Sequence, residues 1–522
     1  MEYIKHAGIN KDGLIKVPEE KQASIDFINY LVKKLDGSMI IVPSSLDTSI
    51  ISDVEKEALA ARILKKYEGI KTPKILTNED LKEVSLEIKS EKIPIPVEIR
   101  VAKDFKPQAA EVEAEYEVTN KFVNKVHSNT EDFVKYFRDR LSKIKSFFSS
   151  HEGLTGVLQN LDVVNSYTTG REITVAGIVS KKIVTKKGNI MIILEDETAE
   201  VKVIFSNGSN QKAQEAFASA STIIEDEVIA LKGKIVNPFI IASEIIYPDV
   251  PIKEKKLTKD DLAIAFISDV HVGSKLFLSK NFYKFIEWLN GDSSMASKEL
   301  AGKVKYLVVA GDIVDGIGVY PGQEKDLEIS DVYQQYKTFF ELIDQLPEYI
   351  NVFVLPGNHD ASQLAEPQPP FDSLITKYTS NPSINFVSNP AYIKMHGISV
   401  LAYHGASIDS IIRTIPNLSY AKPENAMIEI LKRRHLSPVY GINPVMPSET
   451  DQMVINPVPD ILHMGHVHKN GLAEYHGVSI VNSGTWQART DYQIKLGHVP
   501  SPGVVPIYET KTGKFRLVDF HG

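Results

Sequence analysis

Three rhythms of apolar and polar residues divide the chain. Up to about residue 72 the apolar positions recur at helical spacing, with Ile25, Ile28, Leu31, Val32 and Leu35 on one face and Leu59, Ala60, Ile63 and Leu64 on another. Between them the short apolar run Met39–Val42 stops at Pro43, and Ser44, Ser45 and Asp47 offer helix caps. This predicts a small helical module over 1–72, which either docks a partner or caps the fold as a solvated helical pair. From 73 to 119 the rhythm is lost. Pro73, Pro94, Pro96 and Pro107 interrupt it, while Glu111, Glu113, Glu115 and Glu117 alternate with Val112, Ala114, Tyr116 and Val118. Proline removes backbone donors and forbids a continuous helix, so a flexible linker with one short strand is expected, or an acidic interaction segment. A connecting helical segment follows over 120–164, its amphipathic helix Phe122–Phe148 carrying Phe133, Val134, Phe137, Leu141, Ile144 and Phe148 on one side.

Period-two alternation begins near 165. Ile173–Val179, Ile190–Leu194, Glu200–Phe205, Val228–Val236 and Phe239–Tyr247 read as strands, and Gln211–Ala220 reads as a helix between the third and fourth. Three strands, a helix and two strands is the order of an OB barrel, expected over 165–255. Lys181, Lys182, Lys186 and Lys187 near its first hairpin suit a nucleic-acid backbone. No row of exposed aromatics for base stacking accompanies them, so a structural or partner-docking role is the alternative. From 256 to 522 buried-looking strands alternate with helical stretches such as Phe282–Leu289 and Val332–Leu346. That alternation predicts an α/β layered domain with its site at the strand ends.

Those strand ends carry the chemistry. Leu262–Ile267 leads to Asp269 and His271, Tyr306–Val309 to Gly311 and Asp312, Val352–Leu355 to Gly357, Asn358, His359 and Asp360, Ile398–Tyr403 to His404, and Ile461–Met464 to Gly465, His466 and His468. Asp269, His271, Asp312, Asn358, His404, His466 and His468 are all competent metal ligands. Residues two apart in an extended segment face the same way, so Asp269 and His271 can reach one ion. Gly311 and Gly357 allow sharp turns and close backbone approach. A lone Gly-Asp or single histidine means little, since either usually serves packing or solvation. Five such segments in series, each after an apolar strand, do not. Oxygen and imidazole donors without thiolate suit two divalent ions, and manganese, iron, zinc or magnesium are all accommodated. Two such ions sharing a carboxylate form a clamp for phosphoester hydrolysis.

Composition narrows the classes. The 522 residues allow two to four domains, and cysteine is absent, which excludes disulfides, zinc ribbons and thiol nucleophiles. No apolar run approaches a membrane span and no signal-peptide pattern is present, so a cytoplasmic protein without a membrane partner is expected. The formal net charge of −8 argues that any nucleic-acid contact is local or shared with a more basic partner.

The five segments resemble the calcineurin-like metallophosphoesterases, whose pattern is D-x-H, G-D, G-N-H-D/E, H and G-H-x-H. The resemblance implies a four-layer domain of two packed sheets flanked by helices. It also implies that Asp269, His271 and His468 hold one ion, that Asn358, His404 and His466 hold the other, and that Asp312 bridges them. His359 would act on the scissile phosphate or leaving oxygen, with Asp360 orienting it. A barrel placed directly before such a domain is similar to the small (B-type) subunits of replicative DNA polymerases. Eukaryotic members have generally lost metal ligands. With all seven intact, and with Pro356–Pro369 and Asn482–Gln487 adding similarity, the chain resembles the small-subunit family of archaeal family D polymerases. That implies a 3′–5′ proofreading exonuclease acting on DNA 3′ ends, a heterodimer with a large catalytic subunit, and a sliding clamp reached through the complex. The alternatives are a stand-alone repair nuclease or phosphodiesterase, and a non-catalytic accessory subunit.

Overall fold

The structure is a computed structural model and describes residues 40–41, 74–75, 102, 105–119, 130–150, 154, 159–208, 211–291 and 298–521. The chain divides into two compact units, Met1–Ile95 and Pro96–Gly522. In the first, Ile40–Ile41 pairs in parallel with Lys74–Ile75. The helices expected near residues 25–35 and 59–64 lie outside the described residues.

The second unit contains a closed barrel and a two-sheet sandwich. Along the chain its elements are β1 (Tyr116–Val118), α1 (Thr130–Phe147), β2 (Glu172–Val184), β3 (Ile190–Glu195), β4 (Glu200–Phe205), α2 (Gln211–Ala220), β5 (Val228–Val236) and β6 (Phe239–Ile246). Then come β7 (Ala263–Ile267), α3 (Ser279–Leu289), α4 (Lys298–Lys303), β8 (Val304–Ala310), α5 (Val332–Ile343), β9 (Asn351–Leu355), α6 (Ser373–Thr376), β10 (Ile384–Phe386), β11 (Ala391–Met395) and β12 (Ile398–Ala402). The last are α7 (Ile408–Thr414), α8 (Pro423–Arg433), β13 (Ile461–Met464), β14 (Gly471–Tyr475), β15 (Val478–Asn482), α9 (Asp491–Lys495), β16 (Val504–Glu509) and β17 (Lys514–Asp519).

Strands β2 to β6 close in the order β2-β3-β4-β6-β5, as the period-two pattern and the intervening helix predict. Inward residues such as Val175, Ile192, Val203, Leu231 and Ile240 fill the barrel, and Ala216 and Ala220 of α2 pack against them. Helix α1 lies on the outside, where its Leu141 and Ile144, with Phe148 of the turn that follows it, meet Ala176, Val228 and Ile246 of the barrel and Val454 of the following domain. The lysine cluster is not uniformly free. Lys182 Nζ donates to the carbonyls of Ser221 (2.7 Å) and Ile223 (2.8 Å), while Lys186 and Lys187 are exposed.

The remaining strands form two six-stranded sheets, ordered β10-β9-β8-β7-β16-β17 and β14-β15-β13-β12-β11-β1. Their inner faces share one core, with Phe266, Val308 and Phe353 from the first sheet and Ile393, Val400 and Ile461 from the second. Outside the second sheet, Ile411 of α7 and Met427 and Ile430 of α8 cover Leu401, Leu462 and Ile480. Beyond the first, Phe282, Phe285 and Trp288 of α3 gather Trp486 and Phe520. Strands β8, β7 and β9 are mutually parallel, as are β12, β13 and β15, so their carboxyl ends meet at one edge of the sandwich. Among the described residues no helix is long and apolar enough to cross a membrane.

The stretch read as a linker over 73–119 differs from that expectation. The division between the two units falls inside it, and its C-terminal end is part of the sandwich. β1 extends the second sheet by pairing antiparallel with β11. The alternating Glu and apolar residues give a strand with one packable face. Tyr116 sets its ring edge-on to Phe353 at 5.1 Å, and Tyr306 Oη donates to the Glu115 carbonyl at 3.0 Å. Lys305 Nζ fixes the turn before it by donating to Ala109 O (3.0 Å) and Val112 O (2.6 Å).

Candidate metal centre

The five motif segments leave the carboxyl ends of β7, β8, β9, β12 and β13 and converge, as open α/β sheets place their sites. All seven expected ligands come together. Asp269, His271 and His468 form one group of ligand atoms within 4.8 Å of each other, and Asp312, His404 and His466 form a second. Asn358 belongs with the second, its Oδ1 lying 2.9 Å from His404 Nε2 and 3.0 Å from His466 Nδ1. Asp312 stands between the groups. Its Oδ2 is 3.9 Å from His271 Nε2 and 3.4 Å from His404 Nε2.

Backbone conformation brings these side chains inward. Asp269, His271, Asp312, His466 and His468 all have φ between 50° and 69°, the left-handed region that non-glycine residues rarely occupy. Such residues cost about 1–3 kcal/mol each and persist where the surroundings over-determine them, typically at functional sites. The motif glycines allow the segments to approach. A Cβ on Gly311 would lie 2.7 Å from the Gly357 nitrogen, and one on Gly357 would collide with the Asp312 carboxylate.

Neighbouring groups fix how the imidazoles face. His404 Nδ1 donates to the Ala310 carbonyl (2.8 Å), leaving Nε2 directed at Asn358 and Asp312. Asp315 Oδ1 takes His271 Nδ1 at 3.1 Å, so His271 also presents Nε2. Asp409 Oδ2 faces His466 Nε2 (3.3 Å), leaving Nδ1 inward; at His468 the sense is opposite, Gln493 Nε2 donating to Nδ1 (3.0 Å) while Gln493 Oε1 accepts from Thr490 N. Partners of this kind set tautomer and orientation in metal-binding histidines. Asp315 is itself held by Gln487 Nε2 (3.1 Å) and Gln323 Nε2 (3.1 Å). Asp315, Asp409 and Gln493 are not found by motif reasoning, and Gln487 enters it only as the end of the Asn482–Gln487 stretch, with no role read for it. Asp315, three residues after Asp312, and Asp409, five after His404, follow motif segments closely. No spacing signal links either to its histidine.

Electrostatics require positive charge at the centre. Among the described residues, the ion pairs of Asp269 and Asp312 are all with histidines. Although burial works against it, the His404 and His359 charges hold Asp312 well below the usual carboxylate range. Conversely, burial would lower His404, yet the Asp312 carboxylate lifts it to about 10. The donor set fits cations directly. Asp269 Oδ1 is fully buried with no hydrogen-bond donor, and the Nε2 atoms of His271 and His468 face each other at 3.0 Å. A buried acceptor without a donor and two converging imidazole nitrogens are what a divalent ion satisfies.

His359 lies beside the first group, its ring centroid 4.7 Å from that of His271. Burial lowers its pKa, with the Asp312 charge opposing. Its neighbour does not orient it, which corrects the expected role of Asp360. His359 Nδ1 bonds to the Asp315 carbonyl (2.8 Å), and its backbone N–H donates to Asp312 Oδ1 (2.8 Å). Asp360 points the other way. It accepts from Gly357 N (2.8 Å) and Tyr336 Oη (3.2 Å), bracing the loop, and burial followed by the Asp312 charge pushes its carboxyl up to about 7.

The known proteins that this chain is similar to match about three quarters of it. The family model for the B subunits of DNA polymerases alpha and epsilon matches residues 264–470. The DNA polymerase II small subunit of Archaeoglobus fulgidus is 43% identical, covering 74% of this chain and 77% of its own length. That of Methanothermobacter thermautotrophicus is 39% identical over 79% of this chain and 84% of its own length. That of Methanocaldococcus jannaschii is 42% identical over 72% and 63%. With such identity over most of its length, and with the converging strand-end segments described above, the chain belongs to the DNA polymerase II small-subunit family.

Proposed function

We propose that this chain is a metal-dependent 3′–5′ exonuclease that edits DNA 3′ ends within a replicative polymerase and also braces the large catalytic subunit. The observation that carries the reading is Asp312, whose carboxylate lies between two histidine-bearing groups. Asp269, His271 and His468 would hold one divalent ion, Asn358, His404 and His466 the other, and Asp312 both. Manganese is the first choice, and iron, zinc or magnesium suit the same oxygen and nitrogen donors. Bound there, the ions would supply an activated water and neutralise charge on the phosphoryl oxygens. The protein's own part is to aim the donors and keep them aimed. Asp315 and Asp409 hold His271 and His466 in their inward tautomers. His359, tethered at Nδ1 by the Asp315 carbonyl, keeps Nε2 for the phosphate or leaving oxygen.

The polymerase large subunit is the partner that the family implies, with a sliding clamp reached through the complex. The cytoplasm is the compartment in which such an assembly meets DNA. The test is release of 3′-terminal nucleotides from a labelled single strand with Mn²⁺, by the chain alone and with the large subunit. Loss of release in His359→Ala and Asp312→Ala is expected. Hydrolysis of small phosphomonoesters with no effect on the strand would reject the reading. The net charge of −8 favours a second reading, a non-catalytic brace. That reading requires purified protein without bound ions, and exonuclease activity of the complex that survives ligand substitution.

A further inference from the structure

His463 of β13 is fully buried and sets its ring edge-on to Phe266, a residue of the apolar core between the two sheets. Its Nε2 meets Ser483 Oγ at 3.0 Å, whereas its Nδ1 is buried without a partner. Burial keeps the ring neutral, pushing its pKa down to about 3. A buried N–H without an acceptor is costly, so the one proton belongs on Nε2 and His463 is a donor. Ser483 Oγ donates in turn to Ser268 Oγ at 2.7 Å, and Ser268 Oγ donates to Asp269 Oδ2. Each hydroxyl accepts one hydrogen bond and passes one on. The path runs from β13, through the residue after β15, to the residue after β7, and so crosses from one sheet to the other.

At its end the two oxygens of Asp269 are treated differently. Oδ2 takes Ser268 Oγ and also the His466 N–H at 2.9 Å. Oδ1 is left facing His468 Nε2 at 3.4 Å and His271 Nε2 at 3.9 Å. Space for the Ser268 hydroxyl exists because residue 465 is glycine. A Cβ there would collide with Ser268 Oγ and stand 2.6 Å from Asp269 Oδ2. The chain does little for stability by itself. The imidazole gives up water at both nitrogens and recovers one hydrogen bond, where apolar side chains of the same shape would cost less.

We propose that His463, Ser483 and Ser268 are positioning residues that fix Asp269 Oδ2 from inside the core, so that Oδ1 is the atom offered to a divalent ion. The assignment rests on the metal-dependent reading above and adds the residues that aim the carboxylate of the first ion group. Hydrogen bonds passed along a buried chain strengthen one another, so a donor two links away still acts on the carboxylate.

The test is calorimetric titration of the full chain with Mn²⁺ alone, beside denaturant unfolding of each variant. Wild type should take up two ions. Ser268→Ala should weaken one of them about 10–100-fold and leave the other unchanged. His463→Phe keeps a ring in the core but removes the donor, and should weaken the same ion about threefold to tenfold. His463→Gln returns an N–H close to the place of Nε2 and should recover most of that loss. Ser483→Ala breaks the middle link and serves if the His463→Phe variant does not fold. Wild-type affinity at both ions in Ser268→Ala would overturn the proposal. So would His463→Gln binding no better than His463→Phe, since the ring would then be packing alone. A wild-type chain that binds no Mn²⁺ would overturn the metal-dependent reading and the proposal together. Two bound ions with a DNA strand left intact would reject the exonuclease reading only, and the affinities would still decide the chain.

Discussion

Two clusters of buried charge lie within the same unit and are completed in opposite ways. At the junction of α1, the barrel and the sandwich, Arg140 is 1% exposed. It gives Nε to Asp451 Oδ2 at 2.8 Å and one terminal nitrogen to the carbonyls of Pro438 (2.9 Å) and Asp226 (3.1 Å). Asp451 also takes His435 Nε2 (2.7 Å) and the Met453 N–H (2.9 Å). Cation, anion and lone pairs are matched from within the chain. At the strand ends, Asp269 Oδ1 is buried without a hydrogen bond of good geometry, His468 Nε2 standing 3.4 Å away, and the Nε2 atoms of His271 and His468 meet at 3.0 Å. Burial is equally deep in both places. A cluster that satisfies itself holds a fold together, whereas one that gathers buried carboxylates and imidazole nitrogens on a single point can take up a cation.

The contrast is broken most directly at Asp312. Asp312→Ala should lower bound divalent metal from two ions to one or none and slow 3′-end cleavage on the order of a thousandfold. Metal analysis and a single-turnover assay measure both, and two ions retained at full rate would remove the distinction. The converse change is Arg140→Ala. It leaves Asp451 buried and short of its partner, and should cost about 3–5 kcal/mol of stability by denaturant unfolding. Metal content of the folded fraction should stay unchanged. Asp315→Asn weakens a support and leaves every ligand in place, so calorimetric metal affinity should fall about 10–100-fold.

The smallest effect is the junction's response to acid. Burial, then the Arg140 charge, pushes His435 down to about 4, against about 6.5 in an unfolded chain. The folded state therefore binds fewer protons between those values, and stability falls as pH drops from about 6.5 to 4. Thermal midpoints across that window should lose part of their slope in His435→Asn. An unchanged slope would show that the junction does not carry this dependence.

Legibility in the sequence follows the physics of each element. Barrel strands such as Glu200–Phe205 and Val228–Val236 match to the residue, the first because one filled and one solvated face impose alternation, the second as an apolar run buried on both faces at its start, where Val228 and Ala230 meet the segment of α1. Fully buried strands such as Ile461–Met464 are equally clear as apolar runs ending in a ligand segment. The hairpin of β16 and β17 and the place of β1 at a sheet edge are not legible, since distant pairing and the ring contacts of Tyr116 set them. The seven converging side chains are legible from residue type and spacing. Their supports are not, because Asp315 and Asp409 have meaning only once a particular histidine nitrogen faces them. The misassigned role of Asp360 has the same origin. Adjacency in sequence to His359 says nothing about which way a carboxylate points in a tight loop.

The left-handed backbone at Asp269, His271, Asp312, His466 and His468 bears on how such a site is kept over evolutionary time. Each of these residues would be relieved of strain by replacement with glycine. Selection for stability alone would therefore erode the centre, one residue after another, towards a calmer and inert scaffold. In the metal-dependent reading proposed above, use of the centre is the pressure that opposes this slope.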